Sequence, residues 1–529
     1  MVASNDQRCA NYPPLDGSLC QLDFTGDRYE KVEGSARAGF DIPLPTSWTV
    51  VLTVSLRHCS KIASSALCTS SDRDVQASGL RIDPDIIFSS PSIHRLAESV
   101  IKAVLQRNGA SKADIENMIE RYSVGLGNSV AGADNTVVTG CSQSDHVVVL
   151  TGSTGGLGSY LLADLLQRED VSVVHALNRP SKEASIQQRQ EDSFKYRGFE
   201  FTLLQSDKLV YVETDTSADH LGLDKELYQK ICTSATVIIH NAWTSNLNAG
   251  LSSFDFHVRG TRNLRLGTSP HHPKPRFMFT SSMLYAQSSD RTKGPLPGEV
   301  QYDAGVAAGP GYGASKYISG RVLVNSKLPS SSFRIGHISG GPPRGVWSTK
   351  DWLPVTIASS VSLGALPEAK GVVSWIPPHA VSNAILDVAF AEEEPPIVVD
   401  LRHPRPVVST MLIQSIADAL FERKITSYPL PLVPFSEWFE KLESSAKGLS
   451  KETLKRIPAI KLLNFLRFMA RSDIAIRASG EMSCEAAGMI SLTTAVAERI
   501  SPTMKELKSL SSADAAQWVD YWTAMEIFQ

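Results

Sequence analysis

From residue 146 to residue 335 the chain alternates short apolar runs with stretches whose apolar residues recur at helical spacing. His146–Thr151 is an apolar run that ends in glycines. Leu157, Leu161, Leu162, Leu165 and Leu166 then share one helical face. Val171–Ala176, Leu209–Glu213, Thr236–His240, Phe277–Phe279 and Phe333–Ile335 are strand-sized, and Ala314–Lys327 reads as a helix. Repeated strand–helix units predict an α/β domain built on a doubly wound parallel sheet, over residues 145–403. Beyond Pro404 helical spacing dominates, at Thr410–Glu422, Ser436–Ser445, Ala459–Arg471 and Cys484–Arg499, which predicts a mostly helical subdomain over 404–529. The N-terminal part differs. Residues 1–78 are poorly patterned, with Trp48–Leu56 as one strand candidate. Residues 79–124 carry a helical stripe at Ile93, Leu96, Val100, Ile101 and Leu105, and 125–144 reads as a linker rich in Gly, Ser, Asn and Thr.

Composition narrows the class. The 529 residues carry 52 Lys+Arg against 55 Asp+Glu, so the net charge of -3 offers no overall attraction for nucleic acid or an anionic membrane. The hydrophobic fraction of 42% is that of a globular chain. No apolar run approaches the ~20 residues of a membrane helix. The seven cysteines include no C-x-x-C pair, and the first residues lack a basic segment followed by an apolar one. The expectation is a cytoplasmic protein with free thiols and no metal site.

Candidate chemistry begins at Thr151-Gly152-Ser153-Thr154-Gly155-Gly156-Leu157-Gly158. Gly152, Gly155 and Gly158 form G-x-x-G-x-x-G between an apolar strand and an amphipathic helix. This is the context in which such a loop turns tightly, approaches a pyrophosphate and offers helix N–H groups to it. A Rossmann-type dinucleotide site is expected. The second strand ends in Asn178-Arg179, where an NAD site places Asp or Glu for the ribose 2′-hydroxyl. Arg179, with Lys182 nearby, can fork onto a 2′-phosphate instead, which favours NADP; the alternative is a solvated surface Arg. Asp215 can meet the adenine edge or cap the turn at Thr214–Ser217.

Gly311-Tyr312-Gly313-Ala314-Ser315-Lys316 contains Y-x-x-x-K, which on a helix sets Tyr312 and Lys316 on one face. A nearby ammonium lowers a phenol's pKa toward the range useful for proton transfer, and the same Lys can bind a nicotinamide ribose. Thirty positions earlier a strand ends in Ser281-Ser282. Ser282 can hydrogen-bond a substrate carbonyl, with Ser281 as the competing candidate.

These motifs resemble the extended short-chain dehydrogenase/reductase family. More narrowly, residues 146–529 look like the thioester reductase domains of carboxylic acid reductases, aminoadipate reductases and fungal NRPS-like synthetases. The stretches that carry the likeness are VVVLTGSTGGLGSYLL, HALNRPSK, VIIHNAWTSN, FMFTSSM, GYGASKYISGRVL, FRIGHISGG, GVWSTKDWLP, VSWIPPHAVSNAIL and IPAIKLLNFLRFMA. The resemblance implies NADPH and an acyl thioester carried on phosphopantetheine. It implies reductive release of an aldehyde, in some members on to the alcohol, in secondary-metabolite biosynthesis. Ser282, Tyr312 and Lys316 match its catalytic set. Thr151, Gly152, Thr154, Gly155, Gly156, Leu157, Gly158, Arg179, Asp215, Asn241, Ala242, Tyr312 and Lys316 match its cofactor positions. Trp347–Trp352 lies where the family has a substrate-side loop, against the alternative that these tryptophans are packing.

LRIDPDIIF with Pro91-Ser92-Ile93 and Leu96-Ala97 resembles the tail of a carrier domain, yet no convincing Gly-x-Asp-Ser-Leu site precedes it, and no adenylation domain is seen. The implied partner is therefore a phosphopantetheinylated carrier domain of a polyketide or nonribosomal peptide synthase, acting in trans. Two other readings compete. One is a sugar-nucleotide epimerase or dehydratase holding NAD. The other is a non-catalytic remnant or regulator of a synthetase.

Overall fold

The computed structural model describes residues 109–126 and 145–528, apart from 248, 266–273, 448–449 and 482, together with a short ladder pairing Lys31–Val32 with Ser35–Ala36. The expected strand at Trp48–Leu56, the helical stripe at 93–105 and the linker lie outside the described residues. The chain divides into two compact units, Met1–Asn108 and Gly109–Gln529. The second unit carries the main sheet, the glycine loop and the Tyr–Lys helix.

Seven parallel strands form its centre: β1 His146–Thr151, β2 Val171–Asn178, β3 Leu209–Glu213, β4 Val237–His240, β5 Arg276–Ser282, β6 Ser330–Ile335 and β7 Val398–Leu401. Their order across the sheet is β3-β2-β1-β4-β5-β6-β7, all neighbours parallel. This is the doubly wound arrangement the alternating pattern predicts. The order reverses between β1 and β4, and the crevice outside the carboxyl ends of those strands is where such sheets bind ligands.

Burial explains why the central strands read as unbroken apolar runs. Val148, Val149, Leu150, Ile238 and Ile239 are fully buried, because helices cover both faces of a parallel sheet. Helix α2, Gly156–Gln167, buries Leu161, Leu162, Leu165 and Leu166 on the side it shares with Pro378–Ala389. Each such side chain contributes about 1.5–3 kcal/mol. Strand β7 escapes the pattern because one of its four residues is Asp400, whose carboxylate takes two hydrogen bonds from Arg334 of β6, at 2.5 and 2.6 Å, deep in the sheet.

Two helices matter for position, one at the start of the second unit and one that carries Tyr312 and Lys316. Helix α1, Lys112–Ser123, is closed at its start by a reciprocal Ser111–Asp114 capping box. It buries Ile115, Ile119 and Tyr122 in one cluster with Val258 and Tyr317. It is tied down by Tyr122 to Asp255 at 2.8 Å and by Asn325 to Ser123 at 2.8 Å. Helix α3, Gly311–Ser326, begins one turn earlier than the apolar pattern suggests, and Lys327 ends it in a left-handed conformation.

The C-terminal helices Ser409–Glu422 and Phe435–Ala446 fall close to their expected bounds. The third begins later, at Leu463–Ser479, after a tight turn at Pro458–Leu462. The helix expected over Cys484–Arg499 does not form. Ala487 takes a left-handed φ of 55°, and the chain then runs extended, with Leu492 bridging to Leu296, before a short helix at Ala495–Ile500. The apolar core of this region reaches back to Trp347, Leu353, Ile357 and Trp375, while Ala497 and Met504 join the core of the sheet.

Candidate active site

The glycine loop leaves β1 at the switch point. Thr151 holds its far wall: the hydroxyl oxygen accepts from the backbone N–H groups of Asn241, at 3.0 Å, and Ala242, at 2.9 Å. Asn241 in turn donates to the Gly152 carbonyl, at 3.3 Å. A Cβ at Gly158 would stand 2.0 Å from that same carbonyl oxygen, so only glycine lets α2 lie this close to the strand. Gly155 and Gly156 are exposed, and no side chain caps the first turn of α2, so its N–H groups are not taken by a capping side chain, as a phosphate cradle requires. Thr154 and Asn178 pair at 3.3 Å across the loop, and Leu157 is half-buried where it enters the helix.

Arg179, at the end of β2, is exposed, with its guanidinium 5.8 Å above the Phe256 ring. Lys182 is exposed as well. Asp215 accepts from the backbone N–H, at 2.9 Å, and the hydroxyl, at 2.7 Å, of Ser217, so its carboxylate caps the turn.

On the other side of the crevice β5 ends in Ser281 and Ser282, which alternate faces. Ser281 is buried with its hydroxyl unpartnered. Ser282 instead caps the turn at Met283–Ala286 and hydrogen-bonds the Tyr312 phenol. The geometry therefore separates the two candidates and brings Ser282 to Tyr312. What makes this possible is Gly313. A Cβ there would meet the Leu284 carbonyl oxygen at 2.2 Å, so its absence lets the first turn of α3 press onto the turn that follows β5. That signal was present in the sequence as Gly-Tyr-Gly.

Lys316 lies one turn further along α3, buried. Its Nζ donates to the Thr280 carbonyl at 2.5 Å and stands 4.1 Å from the centre of the Trp243 ring. The expected tuning of Tyr312 by an adjacent ammonium is not what this geometry produces. Burial raises the phenol's pKa, with the Ser282 hydrogen bond opposing, and burial holds Lys316 well below the usual lysine range. Lys316 sits 5.9 Å from the Tyr312 ring and is directed at a backbone carbonyl. Tyr312 is thus kept protonated, the state a proton donor needs.

Trp243, just after Asn241 and Ala242, is the site residue the sequence reading passes over. It stacks on His257 at 4.5 Å with 15° between the planes, and the Lys316 Nζ lies over its ring. Burial drives the His257 pKa down to about 3, so its ring is neutral.

The two tryptophans at the substrate side part company. Trp347 is 2% exposed, packed edge-on against Trp375 and Trp518. Trp352 is half-buried and lines two adjoining clefts. The smaller one is also lined by Met283, the residue after Ser282.

Residues 150–385 match the model of an NAD-binding family described as Male sterility protein. That segment belongs to this family. It holds the glycine loop, the Ser282, Tyr312 and Lys316 set, and Trp352. Over 94% of its length, and 49% of that protein's, the chain is 44% identical to adenylate-forming reductase Nps11 of Serpula lacrymans. It is 40% identical to adenylate-forming reductase Nps9 of the same fungus, over 86% of this chain and 43% of that one. The chain thus spans about half the length of the curated relatives it matches. In fold it is similar to the terminal R domain from the myxalamid PKS-NRPS biosynthetic pathway, with a TM-score of 0.60 at 21% identity, covering 79% of this chain and 99% of that one. Among the described residues no helix is long and apolar enough to cross a membrane.

Proposed function

We propose that this chain is an NADPH-dependent reductase that releases an acyl group, held as a thioester on a phosphopantetheine arm, as an aldehyde. The observation that carries the reading is the meeting of Ser282, Tyr312 and Lys316 beside the glycine loop, with Met283 leading from them into a cavity. Relatives named adenylate-forming reductases support it. NADPH would supply hydride to the thioester carbonyl. Ser282 and Tyr312 would hold the carbonyl oxygen, and Tyr312 would give it a proton as the carbon becomes tetrahedral. The hydroxyl proton then passes to sulfur as the C–S bond breaks, leaving aldehyde and free thiol. Thr151, Gly152, Thr154, Gly155, Gly156, Leu157, Gly158, Asn241 and Ala242 would cradle the dinucleotide. Lys316 would turn from the Thr280 carbonyl to the nicotinamide ribose, and Asp215 would meet the adenine edge. The donor of the thioester is a carrier domain of a polyketide or nonribosomal peptide synthase, supplied in trans, and the setting is cytoplasmic.

The test is direct. Purified protein, NADPH and acyl-pantetheine thioesters, free or loaded on carriers, should lose absorbance at the NADPH band and form an aldehyde. Absence of turnover with every thioester sinks the reading. Arg179 reads out cofactor choice. Arg179→Ala should weaken NADPH binding at least tenfold, on the order of one charge-assisted hydrogen bond, and leave NADH binding nearly unchanged. Equal losses would show that Arg179 does not hold the 2′-phosphate. An exposed cation where an NAD site carries an acid disfavours the sugar-nucleotide reading, and an intact catalytic set disfavours a non-catalytic remnant.

A further inference from the structure

The smaller cavity beside Met283 is not uniformly apolar. Trp352, Trp375, Met489 and Leu492 line it together with His337, and Ser374, Arg402 and Glu485 stand among them. These three form a closed set. Arg402 Nη1 donates to Glu485 Oε1 at 2.6 Å and to the Ser374 hydroxyl at 3.1 Å, and that hydroxyl donates to the same carboxylate oxygen. Ser374 and Glu485 are buried, 5% and 8% exposed. The set is also incomplete, since the Arg402 Nε–H is buried and without a hydrogen-bond partner. A buried unpaired donor costs about 1–3 kcal/mol. Packing alone gives no reason to set an ion pair with a spare donor against a cavity walled by indoles and thioethers.

The larger cavity shares Trp352, Trp375, Glu485 and Met489 with the smaller, and continues into carbon-lined space at Leu353, Ile413, Phe435 and Met469. Glu485 thus lies at the border of the two cavities, with Ser374 and Arg402 on the side of the smaller one and mostly apolar surface on the side of the larger. Burial raises the Glu485 pKa, with Ser374 and Arg402 opposing.

We infer that Ser374, Arg402 and Glu485 form a specificity site for a hydroxyl carried on the acyl group. The hydroxyl oxygen accepts from Arg402, and its proton is donated to the Glu485 carboxylate. The substrate class is thus an acyl thioester with a largely apolar body bearing at least one hydroxyl. A site built to hydrogen-bond a hydroxyl discriminates strongly against the analogue lacking it, because the buried polar groups are then left unmet. This inference rests on the reductase reading, and the experiment separates the two.

Pantetheine thioesters of benzoate and of its three monohydroxy isomers supply the probes. Binding is read without cofactor, by quenching of tryptophan fluorescence, and turnover is read with NADPH. At least one hydroxy isomer should bind, and be reduced with a kcat/KM, at least tenfold better than benzoyl. In the double variant Arg402→Met with Glu485→Gln, which leaves no lone buried charge, that ratio should fall to near one. Ser374→Ala should lower it by a smaller factor, and retained NADPH binding and melting temperature show that each variant is folded. Tighter binding of a hydroxy isomer that is lost in the double variant upholds the hydroxyl site with or without turnover, and the reductase reading falls separately, only if no thioester, free or carrier-loaded, is reduced. Turnover with equal kcat/KM for all four thioesters, or a preference that survives in the folded double variant, overturns the hydroxyl site.

Discussion

Replacing Tyr312 with Phe should lower kcat for thioester reduction by about 10²–10⁴-fold, the usual worth of a positioned general acid. The ring is needed for shape: it sits edge-on to Phe254 at 6.1 Å, and Phe preserves that contact. Only the phenolic oxygen, hydrogen-bonded to Ser282, is removed. NADPH affinity should therefore change little, which separates a chemical defect from a folding one. The pH profile gives a second readout. Burial raises the phenol's pKa above its ordinary value near 10, so the protonated donor persists through the neutral range. Wild-type activity should hold to alkaline pH and fall only as the phenol titrates, and Tyr312→Phe should lack that alkaline limb. A variant with near-normal kcat would remove Tyr312 from the chemistry.

Arg334→Met should cost about 3–5 kcal/mol of stability at neutral pH, the penalty for leaving a buried charge alone. Arg334 and Asp400 face each other across β6 and β7, with side chains 0% and 1% exposed. Burial pushes the Asp400 pKa up to about 6 although Arg334 draws it down. Because that folded-state value lies above the unfolded one, the stability Asp400 contributes is full below pH ~4 and declines as pH rises through about 6. Removing Arg334 takes away the attraction and raises the value further. The loss should then be small at pH 5 and large at pH 8, read as the shift in the denaturation midpoint. Arg334→Met with Asp400→Leu should recover most of it, because burying no charge is cheaper than burying one. A pH-independent loss, or no recovery in the double variant, would mean the pair is not what holds this edge of the sheet.

The sheet was legible because parallel strands covered on both faces must be apolar throughout, so β1, β2 and β4 announce themselves as Val and Ile runs. Strand β7 hid because an ion pair replaces one of its four apolar positions. The failed helix at Cys484–Arg499 shows the opposite error. Its apolar spacing is real, but Leu492 and Ile490 are buried by an extended segment lying against Leu296, and periodicity cannot distinguish the two.

Local chemistry follows from local constraint. A glycine turn between strand and helix, Tyr and Lys four apart, and a serine at a strand end are each decided within a few residues. Those could be read from the chain alone, together with the class of fold that presents them. Choices between equals needed the fold. Ser282 differs from Ser281 only in the face it takes at the end of β5, and that face matters because Gly313 lets α3 press against it. Trp352 differs from Trp347 only in lying against a cavity while its neighbour is enclosed by other indoles. The electrostatics of Tyr312 and Lys316 reversed the expected tuning because burial acts on both groups at once, a property of everything packed around them. Ser374, Arg402 and Glu485 lie far apart along the chain, and no spacing rule relates them. They became a set because strand and turn ends from three parts of the sequence converge on one cavity wall.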